Sequence, residues 1–315
     1  MARRALTPSQ LSLVQATRPW LTELDGPLVV GVSGGADSMA LAAALAHLAP
    51  ERTTAVVVDH GLQPASAQVA QSVRESVAGL GLACRVEKVQ VQPRGEGLEA
   101  AAREARLAAL AADGHPVLLA HTLDDQAESV LLGLARGSGA ASLQGMAARR
   151  GPFVRPLLGL RRATTRQACR DWGITVWDDP MNDDPSYLRV RVRKDLLPLL
   201  DDVLGPGVHA ALARTAGLLQ RDQELLGQLT EQALARVQRD EGLDVAGLAA
   251  LHPALQGRVV HHWLAQRVPS PEHGHVRSVL GLVEHWRGQS GVSLPGGHRA
   301  RRVDGLLVVD DGSAG

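Results

Sequence analysis

The chain has 315 residues, of which 45% are hydrophobic and 21% are charged, so it is a globular protein long enough to form two domains. Its formal net charge is zero, and its two cysteines, Cys84 and Cys169, form no CxxC pair. This composition argues against a disulfide scaffold, a structural zinc site or an iron–sulfur cluster. The sequence shows no signal peptide and no transmembrane run, and we expect a cytoplasmic protein without a membrane partner.

Apolar β-type runs and helical patterns alternate through the first half of the chain. Strands are predicted at 28–32, 54–58, 84–89 and 117–121, and helices near 37–48, 65–80, 97–112 and 124–136. This spacing indicates βαβ units, hence an α/β fold with a parallel, Rossmann-like sheet that helices cover on both faces. Ligands of such sheets bind beyond the carboxyl ends of the strands.

The second half of the chain follows a different pattern. Residues 151–187 break into short pieces rich in Pro, Asp and Arg, and helices are then predicted at 188–203, near 208–238, at 244–267 and at 272–287. The last stretch, LPGGHRARRVDGLLVV, predicts a turn and a β-hairpin. We place a boundary at Gly205-Pro206-Gly207. The prediction is a sheet-containing domain over 1–205, followed by a smaller, mainly helical domain over 206–315.

A glycine-rich loop lies between the strand predicted at 28–32 and the helix that follows it. Its residues are Ser33, Gly34, Gly35, Ala36, Asp37 and Ser38. Glycine permits close backbone approach and helix N-terminal amides attract anions, so the loop is a candidate phosphate site. Asp37 would repel a phosphate unless a cation lies between them, which suggests a shared Mg²⁺. No Walker lysine follows. An ordinary turn or helix cap is the alternative interpretation.

Two further polar clusters come at predicted strand ends. Asp59-His60-Gly61 follows the strand at 54–58, and HTLDDQAESV, which begins at His121, follows the strand at 117–121. Asp124 and Glu128 are four residues apart and therefore share one helical face. Acidic groups gathered at a strand end indicate binding or catalysis. A helix cap at Asp124 or Asp125 with a solvated first turn is the alternative.

The region 149–194 is strongly basic, with eleven Arg or Lys against five Asp. Arg189, Arg191 and Arg193 recur there at every second position. In a helix Arg189 and Arg193 would share a face and Arg191 would point elsewhere, whereas an extended segment would place all three on one side. Such arginines suit phosphate or RNA contacts. A solvated surface is the alternative.

A second basic element lies on the helix predicted near 97–112. Glu99, Arg103 and Arg106 are spaced so that they share one face of it. The two arginines are candidates for gripping phosphates or RNA. A salt-bridged surface explains the same spacing.

Several motifs occur in an order that points to one family. They are SGGADS, VDHGL, AREAR, HTLDDQAES, RGSG…GM at 136–146, RPLL at 155–158 and DDPMNDDPSYLRVRVRKDLLPLL at 178–200. Together they resemble the tRNA(Ile)-lysidine synthetases, a family of the N-type ATP pyrophosphatase, or PP-loop, group. SGGxDS alone indicates only the group, and HxxDDQxE with the Arg-rich stretch narrows it. The resemblance covers about 28–200 and continues weakly to the terminal hairpin.

The chain departs from the family pattern at four positions. Val190, Ser129, Leu107 and Gln63 stand where Asn, Thr, Tyr and Arg are usual. These departures affect individual contacts rather than the resemblance. The chain also resembles the short members, which lack an extra carboxyl-terminal domain.

The resemblance implies a ligase that uses ATP and Mg²⁺ to modify tRNA-Ile bearing a CAU anticodon. The O2 of cytidine 34 attacks the α-phosphate of ATP, which releases pyrophosphate and leaves an adenylated base. An amine of L-lysine then attacks C2 and expels AMP, giving lysidine. The oligomeric state is open, with a homodimer as one option.

The resemblance also implies roles for the residues above. ATP binding falls to the loop Ser33–Ser38 with His60 and His121, and catalysis to Asp37, Asp124, Asp125 and Glu128. Binding of tRNA falls to Arg103, Arg106, Arg189, Arg191 and Arg193, and to the helical domain over 206–315. Whether each carboxylate supports the metal, grips the lysine ammonium or takes its proton stays open. Two alternatives are another PP-loop enzyme, such as a tRNA thiolase or an amide-forming synthetase, and a nucleotide-sensing RNA-binding protein without catalysis.

Overall fold

The computed structural model describes residues 5–61, 65–91, 98–137, 139–240 and 242–310. Contacts within the chain divide it into two units, one up to residue 220 and one from residue 221. The predicted boundary at Gly205-Pro206-Gly207 lies in the loop before a long helix. The boundary between the two units lies further along the chain, within that helix.

A six-stranded sheet organises the first unit. Its strands are β1 (Leu28–Gly31), β2 (Thr53–Asp59), β3 (Ala83–Lys88), β4 (Val117–Leu118), β5 (Arg149–Arg150) and β6 (Phe153–Val154). Their order is β3-β2-β1-β4-β6-β5, and every pair is parallel except β5 with β6. The predicted parallel α/β sheet is confirmed, and β5 and β6 extend it beyond the prediction.

Ten helices begin in the described part of the first unit. They are α1 (Pro8–Glu23), α2 (Ala36–Leu48), α3 (Ser66–Gly79), α4 (Leu98–Ala111), α5 (Leu123–Arg136), α6 (Ala140–Leu143), α7 (Arg162–Trp172), α8 (Leu188–Arg191), α9 (Leu197–Leu204) and α10 (Val208–Val237). A π-helical turn, Val192–Leu196, joins α8 to α9. Among the described residues no single helix is long and apolar enough to cross a membrane, although the bent pair Leu188–Leu204 and Val208–Val237 passes by length and composition alone.

The two faces of the sheet are covered by different helices. Val30 belongs to a core cluster that includes residues of α1, α2 and α7, whereas its neighbour Val29 packs with Leu110 of α4. Successive side chains of a strand point to opposite faces, so this apolar run is buried on both sides.

Helix α7 was not predicted, because the sequence over 151–187 indicated only short pieces. Its buried residues, Thr165, Ala168 and Cys169, follow helical spacing. The helix ends at Gly173, whose φ of 70° is the left-handed conformation that glycine adopts readily after a last turn.

The second unit combines helices with a five-stranded antiparallel sheet. Its elements after α10 are β7 (Gln238–Arg239), β8 (Gly242–Asp244), α11 (Val245–Ala249), α12 (Pro253–Ala265), α13 (His273–Glu284), β9 (Val292–Ser293), β10 (Arg299–Val303) and β11 (Leu306–Asp310). The sheet order is β7-β8-β11-β10-β9. The predicted hairpin is confirmed as β10–β11, while the helix predicted at 244–267 is interrupted before Pro253.

Candidate active site

A cleft of about 660 Å³ lies in the first unit where the parallel strands end. Its walls include the loop after β1, His60 after β2, His121 after β4 and Asp125 at the start of α5. The sequence placed these polar groups at separate strand ends, and the structure brings them to one cavity. Arg162 and Arg166 of α7 also line it, together with residues between Trp177 and Asp183 and with Arg193 and Lys194.

The loop Ser33–Ser38 is held in a defined shape by hydrogen bonds. Ser38 Oγ accepts a hydrogen bond from the Ser33 amide at 3.2 Å and donates one to the Gly35 carbonyl at 2.9 Å. Gly34 has a φ of 87°, and its carbonyl accepts a hydrogen bond from the Trp177 amide at 3.0 Å. Gly35 is the N-cap of α2 and carries no side chain to cap the helix. The first amides of α2 therefore form an anion-attracting end that borders the cleft.

Arg162 lies at the centre of the acidic residues. Its Nε is 3.2 Å from Asp37 Oδ2, its Nη2 is 2.7 Å from Asp125 Oδ1 and its Nη1 is 3.3 Å from Glu128 Oε1. The guanidinium thus contacts three of the four predicted catalytic carboxylates. The fourth, Asp124, accepts a hydrogen bond from the Arg162 amide at 2.8 Å.

Asp124 has a structural contact at the N-terminus of another helix. Because it accepts the first amide of α7, it places a negative charge where a helix N-terminus favours one. Arg161 is within 3.1 Å of the same carboxylate, and His209 Nε2 is 3.7 Å away. Asp124 is not among the residues that line the cleft. Asp124 therefore contacts the N-terminus of α7, and it is Asp125, not Asp124, that caps its own helix.

Asp125 caps its own helix and also faces the cleft. It forms a capping box with Thr122, whose amide and hydroxyl each donate to Asp125 Oδ2 at 2.8 Å. Burial by itself raises the pKa of Asp125, but Arg162 and the Thr122 hydrogen bonds outweigh it and the net shift is downward. Asp125 is therefore a carboxylate held in its ionised form at the edge of the cleft.

For Asp37 the net shift of the pKa is upward. Its Oδ1 accepts a hydrogen bond from Thr165 and its Oδ2 contacts Arg162, yet burial dominates and raises the pKa of its carboxyl. Its side chain is 23% exposed and lines the cleft. An added cation at Asp37 would lower this pKa, because it would favour the charged form.

Glu128 is fully buried among three arginines. Arg193 contacts both carboxylate oxygens, Arg162 contacts Oε1, and Arg189 Nε is 3.5 Å from Oε2. Its side chain has no exposed surface and does not line the cleft. Glu128 thus organises the arginines around it.

Three of the five arginines predicted for tRNA, Arg189, Arg191 and Arg193, lie on a helix with a π-helical turn. Arg189 and Arg193 share the face toward Glu128, as the helical alternative requires. Arg191 points elsewhere, with a side chain that is 64% exposed and an ion pair to Asp195 at 3.8 Å. Of the three, Arg191 is the most accessible to a macromolecule.

A second group of cations surrounds His121. Burial, with smaller contributions from Arg155, Arg103 and Arg106, lowers the pKa of His121 to about 3 against the opposing effect of Asp125. Arg106 is itself largely buried and lines the cleft, and burial lowers its pKa too. His121 is therefore neutral at physiological pH.

The positions that depart from the family pattern have defined surroundings where the structure describes them. Val190 is buried, Leu107 packs against the core cluster that contains Val29, and Ser129 Oγ accepts a hydrogen bond from Arg189 at 3.2 Å. Gln63 and the side chain of Glu99 lie outside the described residues.

Sequence reasoning missed Arg161, Arg162, Thr165 and Trp177 as parts of the site. Arg161 and Arg162 belong to the basic region 149–194, and no local pattern ties them to Asp37 or Asp124. A usable signal was present in the helical spacing of Thr165, Ala168, Cys169 and Trp172, which would have predicted α7 and placed Arg162 in its first turn.

The parallel sheet, the glycine-rich loop after β1 and the cleft at the strand ends define a PP-loop α/β protein. The family model described as PP-loop domain matches residues 8–200, and the one described as TilS substrate binding domain matches residues 243–308. In fold, the chain is similar to the U34-tRNA thiolase NcsA from Methanococcus maripaludis, with a TM-score of 0.54 and 16% identity, over 67% of this chain and 80% of that one.

Sequence relatives define the family more closely. The tRNA(Ile)-lysidine synthase of Mycolicibacterium paratuberculosis is 53% identical over 89% of each chain. That of Rhodococcus erythropolis is 49% identical over 94% of this chain and 93% of its own. That of Salinispora tropica is 47% identical over 98% and 99%. The chain belongs to the tRNA(Ile)-lysidine synthase family of PP-loop enzymes.

Proposed function

We propose that this protein is the ligase that forms lysidine at cytidine 34 of tRNA-Ile with a CAU anticodon. The O2 of the cytosine attacks the α-phosphate of ATP, and the bond to pyrophosphate breaks. An amine of L-lysine then attacks C2, and AMP leaves with the bonding electrons. The products are the lysidine-containing tRNA, AMP and pyrophosphate.

The observation that carries this proposal is the cleft that joins an anion-binding loop to two carboxylates. The amides at the start of α2 suit a phosphate chain, and Asp37 and Asp125 face the same cavity. A site for adenylation followed by amine attack needs both features side by side. Asp125, the other predicted carboxylate that lines the cleft, is our candidate to receive the proton of the attacking amine.

Mg²⁺ fits this site as an ion shared with phosphate. The described residues contain no group of three or more His, Cys, Asp or Glu side chains arranged to hold a metal. Mg²⁺, however, is commonly held by one or two carboxylates together with substrate phosphates and waters. Asp37, partly exposed at the phosphate end of the cleft, is the residue that would hold it. When bound, the ion would neutralise charge that develops on the leaving pyrophosphate.

The tRNA would approach the Arg-rich helices beside the cleft. Cytidine 34 lies in a single-stranded loop, where a base can leave its stack and enter a pocket. We assign backbone contacts to Arg191 on its accessible side, with Arg103, Arg106, Arg189 and Arg193 as further candidates nearer the cleft. A homodimer remains a prediction, which light scattering on the purified protein tests.

A labelled-lysine assay tests the proposed function. The protein is incubated with ATP, Mg²⁺, radiolabelled L-lysine and tRNA-Ile transcripts that carry CAU or another anticodon. We expect label only in the CAU transcript, with one AMP and one pyrophosphate released per label. The proposal fails if no transcript is labelled while pyrophosphate exchange depends on another acid.

The Asp37→Ala variant separates the chemical step from binding. Because Asp37 is the proposed metal ligand, the variant should lose pyrophosphate release while its affinity for tRNA stays nearly unchanged. Persistent pyrophosphate release would remove Asp37 from this role. Glu75→Ala, an exposed position on α3, serves as the matched control.

A further inference from the structure

Asp37 and Asp125 are the two predicted catalytic carboxylates that line the cleft, and they share one counter-ion. Arg162 contacts Asp37 through Nε at 3.2 Å and Asp125 through Nη2 at 2.7 Å. Within the described part of the chain, no other Arg or Lys lies within 4 Å of either carboxylate. Asp124, by contrast, contacts Arg161, and Glu128 contacts Arg189 and Arg193 as well.

This arrangement sets up a competition for the two carboxylates. Any cation that enters the cleft, whether an ammonium or a divalent metal ion, must share or displace the guanidinium. Charges at such short distances and low exposure interact strongly, so the competition has a large effect on affinity. The side chain of Arg162 is 18% exposed and itself lines the cleft, which leaves it access to whatever binds there.

The guanidinium of Arg162 also lies close to the site proposed for phosphate. Asp37, which it contacts, lies in the first turn of α2, where the helix N-terminus favours phosphate. A guanidinium binds phosphate through two parallel charge-assisted hydrogen bonds, as it does carboxylate. A phosphate chain on the loop Ser33–Ser38 would therefore compete with Asp37 and Asp125 for the same side chain.

We propose that Arg162 is an exchangeable counter-ion. It neutralises Asp37 and Asp125 before the nucleotide binds, and it moves to the nucleotide phosphates afterwards, which frees both carboxylates for a cation. Nucleotide and cation then bind in a preferred order, nucleotide first. This inference rests on the proposed function only in taking the loop as the site of nucleotide phosphates.

Cation binding to the protein without nucleotide tests the proposal. Mn²⁺ affinity is measured by electron paramagnetic resonance and L-lysine affinity by calorimetry, for the wild type and for Arg162→Gln. Loss of the guanidinium should tighten binding of at least one of them by about tenfold or more. Tightening for Mn²⁺ alone identifies a metal ion as the competing cation, and tightening for lysine alone identifies the ammonium. Unchanged or weaker binding of both overturns the proposal.

Two matched variants separate the contact from general electrostatics. Arg170→Gln removes the same charge from an exposed position on the same helix and should leave both affinities unchanged. Arg162→Lys keeps the positive charge and should stay closer to the wild type than Arg162→Gln does. If Arg170→Gln tightens binding as much as Arg162→Gln, Arg162 has no special role and the proposal is wrong.

The wild-type protein supplies a test that needs no folded variant. L-Lysine and Mn²⁺ affinities are measured with and without α,β-methylene-ATP, an analogue that cannot release pyrophosphate, and Mn²⁺ bound to the analogue itself is subtracted. The proposal requires the analogue to tighten binding of at least one of the two cations at least about fivefold, a typical coupling between two sites. Independent or weaker binding of both overturns it. Failure of the labelled-lysine assay with these effects intact would refute the proposed function and leave the counter-ion role standing.

Discussion

Arg193 holds both carboxylate oxygens of Glu128, with Nε 2.7 Å from Oε1 and Nη2 3.1 Å from Oε2. Glu128 is completely buried, and Arg162 and Arg189 lie within 3.5 Å of it as well. One carboxylate therefore holds together three guanidinium groups that would otherwise repel each other. This contact joins α5 to the π-helical turn that carries Arg193, at the edge of the cleft.

Removal of the Glu128 carboxylate should destabilise the first unit. Breaking a buried ion pair by deleting one partner leaves charges unpaired, so we expect Glu128→Ala to lower the free energy of unfolding by about 3–5 kcal/mol. Urea unfolding followed by tryptophan fluorescence measures the change. Glu75→Ala, at an exposed position of α3, should stay within about 0.5 kcal/mol of the wild type. A Glu128→Ala protein as stable as that control would show that the buried cluster adds nothing to folding.

Arg191 and Arg193 should differ in what their removal changes. Arg191 is 64% exposed and its ion pair is a surface one, so Arg191→Ala should weaken tRNA binding and leave stability nearly unchanged. If it contacts a phosphate, the slope of log affinity against log salt falls by about one. Binding at 50–200 mM KCl gives this slope. Arg193→Ala should weaken binding too, and it should also lower stability because Glu128 loses its bidentate partner.

An exposed arginine outside the basic region provides the control for this comparison. Arg74→Ala on α3 should leave the tRNA affinity and its salt slope as they are. An Arg191→Ala protein with the wild-type slope at every salt concentration would place Arg191 outside the RNA interface.

The strands and helices that were predicted correctly have sequence signals within the elements themselves. Apolar runs such as 28–31 are buried on both faces of a parallel sheet, so their composition marks them as strands. The rule that ligands collect at the carboxyl ends of such strands then marked the loop Ser33–Ser38, His60 and Asp125 as candidates, and the structure places them around one cavity. Helix α5 was also predictable, because Thr122 and Asp125 form a capping box.

The parts that the sequence did not predict depend on contacts between distant residues. Arg162 lies 125 positions after Asp37, and no periodicity within either segment relates them. The same holds for Glu128, whose burial follows from the approach of Arg193, 65 positions away. An acidic residue at helical spacing looks equally suited to solvent, to a cap or to a buried ion pair. Only packing decides between these environments, and here it separates Asp125 at the cleft from Glu128 in the interior.

Gly34 should tolerate no side chain, whereas its neighbour Gly35 should. Gly34 has a φ of 87°, and a Cβ built on it would lie 2.5 Å from Val73 Cγ2. A Cβ on Gly35, whose φ is −70°, would meet its nearest atom at 3.8 Å. We expect Gly34→Ala to cost about 1–3 kcal/mol of unfolding free energy, and Gly35→Ala to cost less than about 1 kcal/mol. Thermal unfolding of both variants measures the difference.

ATP affinity separates the two glycines in a second way. If phosphates approach the loop backbone closely, Gly35→Ala should weaken ATP binding although the protein stays folded. Val73→Ala should cost less stability in the Gly34→Ala background than in the wild type, since it removes the methyl group that clashes. An equal cost in both backgrounds would mean that the positive φ, and not the contact with Val73, causes the loss.

His121 should make the protein sensitive to mild acid. Burial keeps its pKa far below the value of about 6.5 in an unfolded chain, so below pH 6.5 the unfolded state binds a proton that the folded state does not. Stability must then fall as the pH falls, by about 2 kcal/mol between pH 7.5 and pH 5 for this one group. His121→Gln should lose that part of the pH dependence, whereas His115→Gln, outside the cleft, should retain it. Urea unfolding at several pH values gives both slopes, and equal slopes for wild type and His121→Gln would mean that His121 takes up its proton in the folded state.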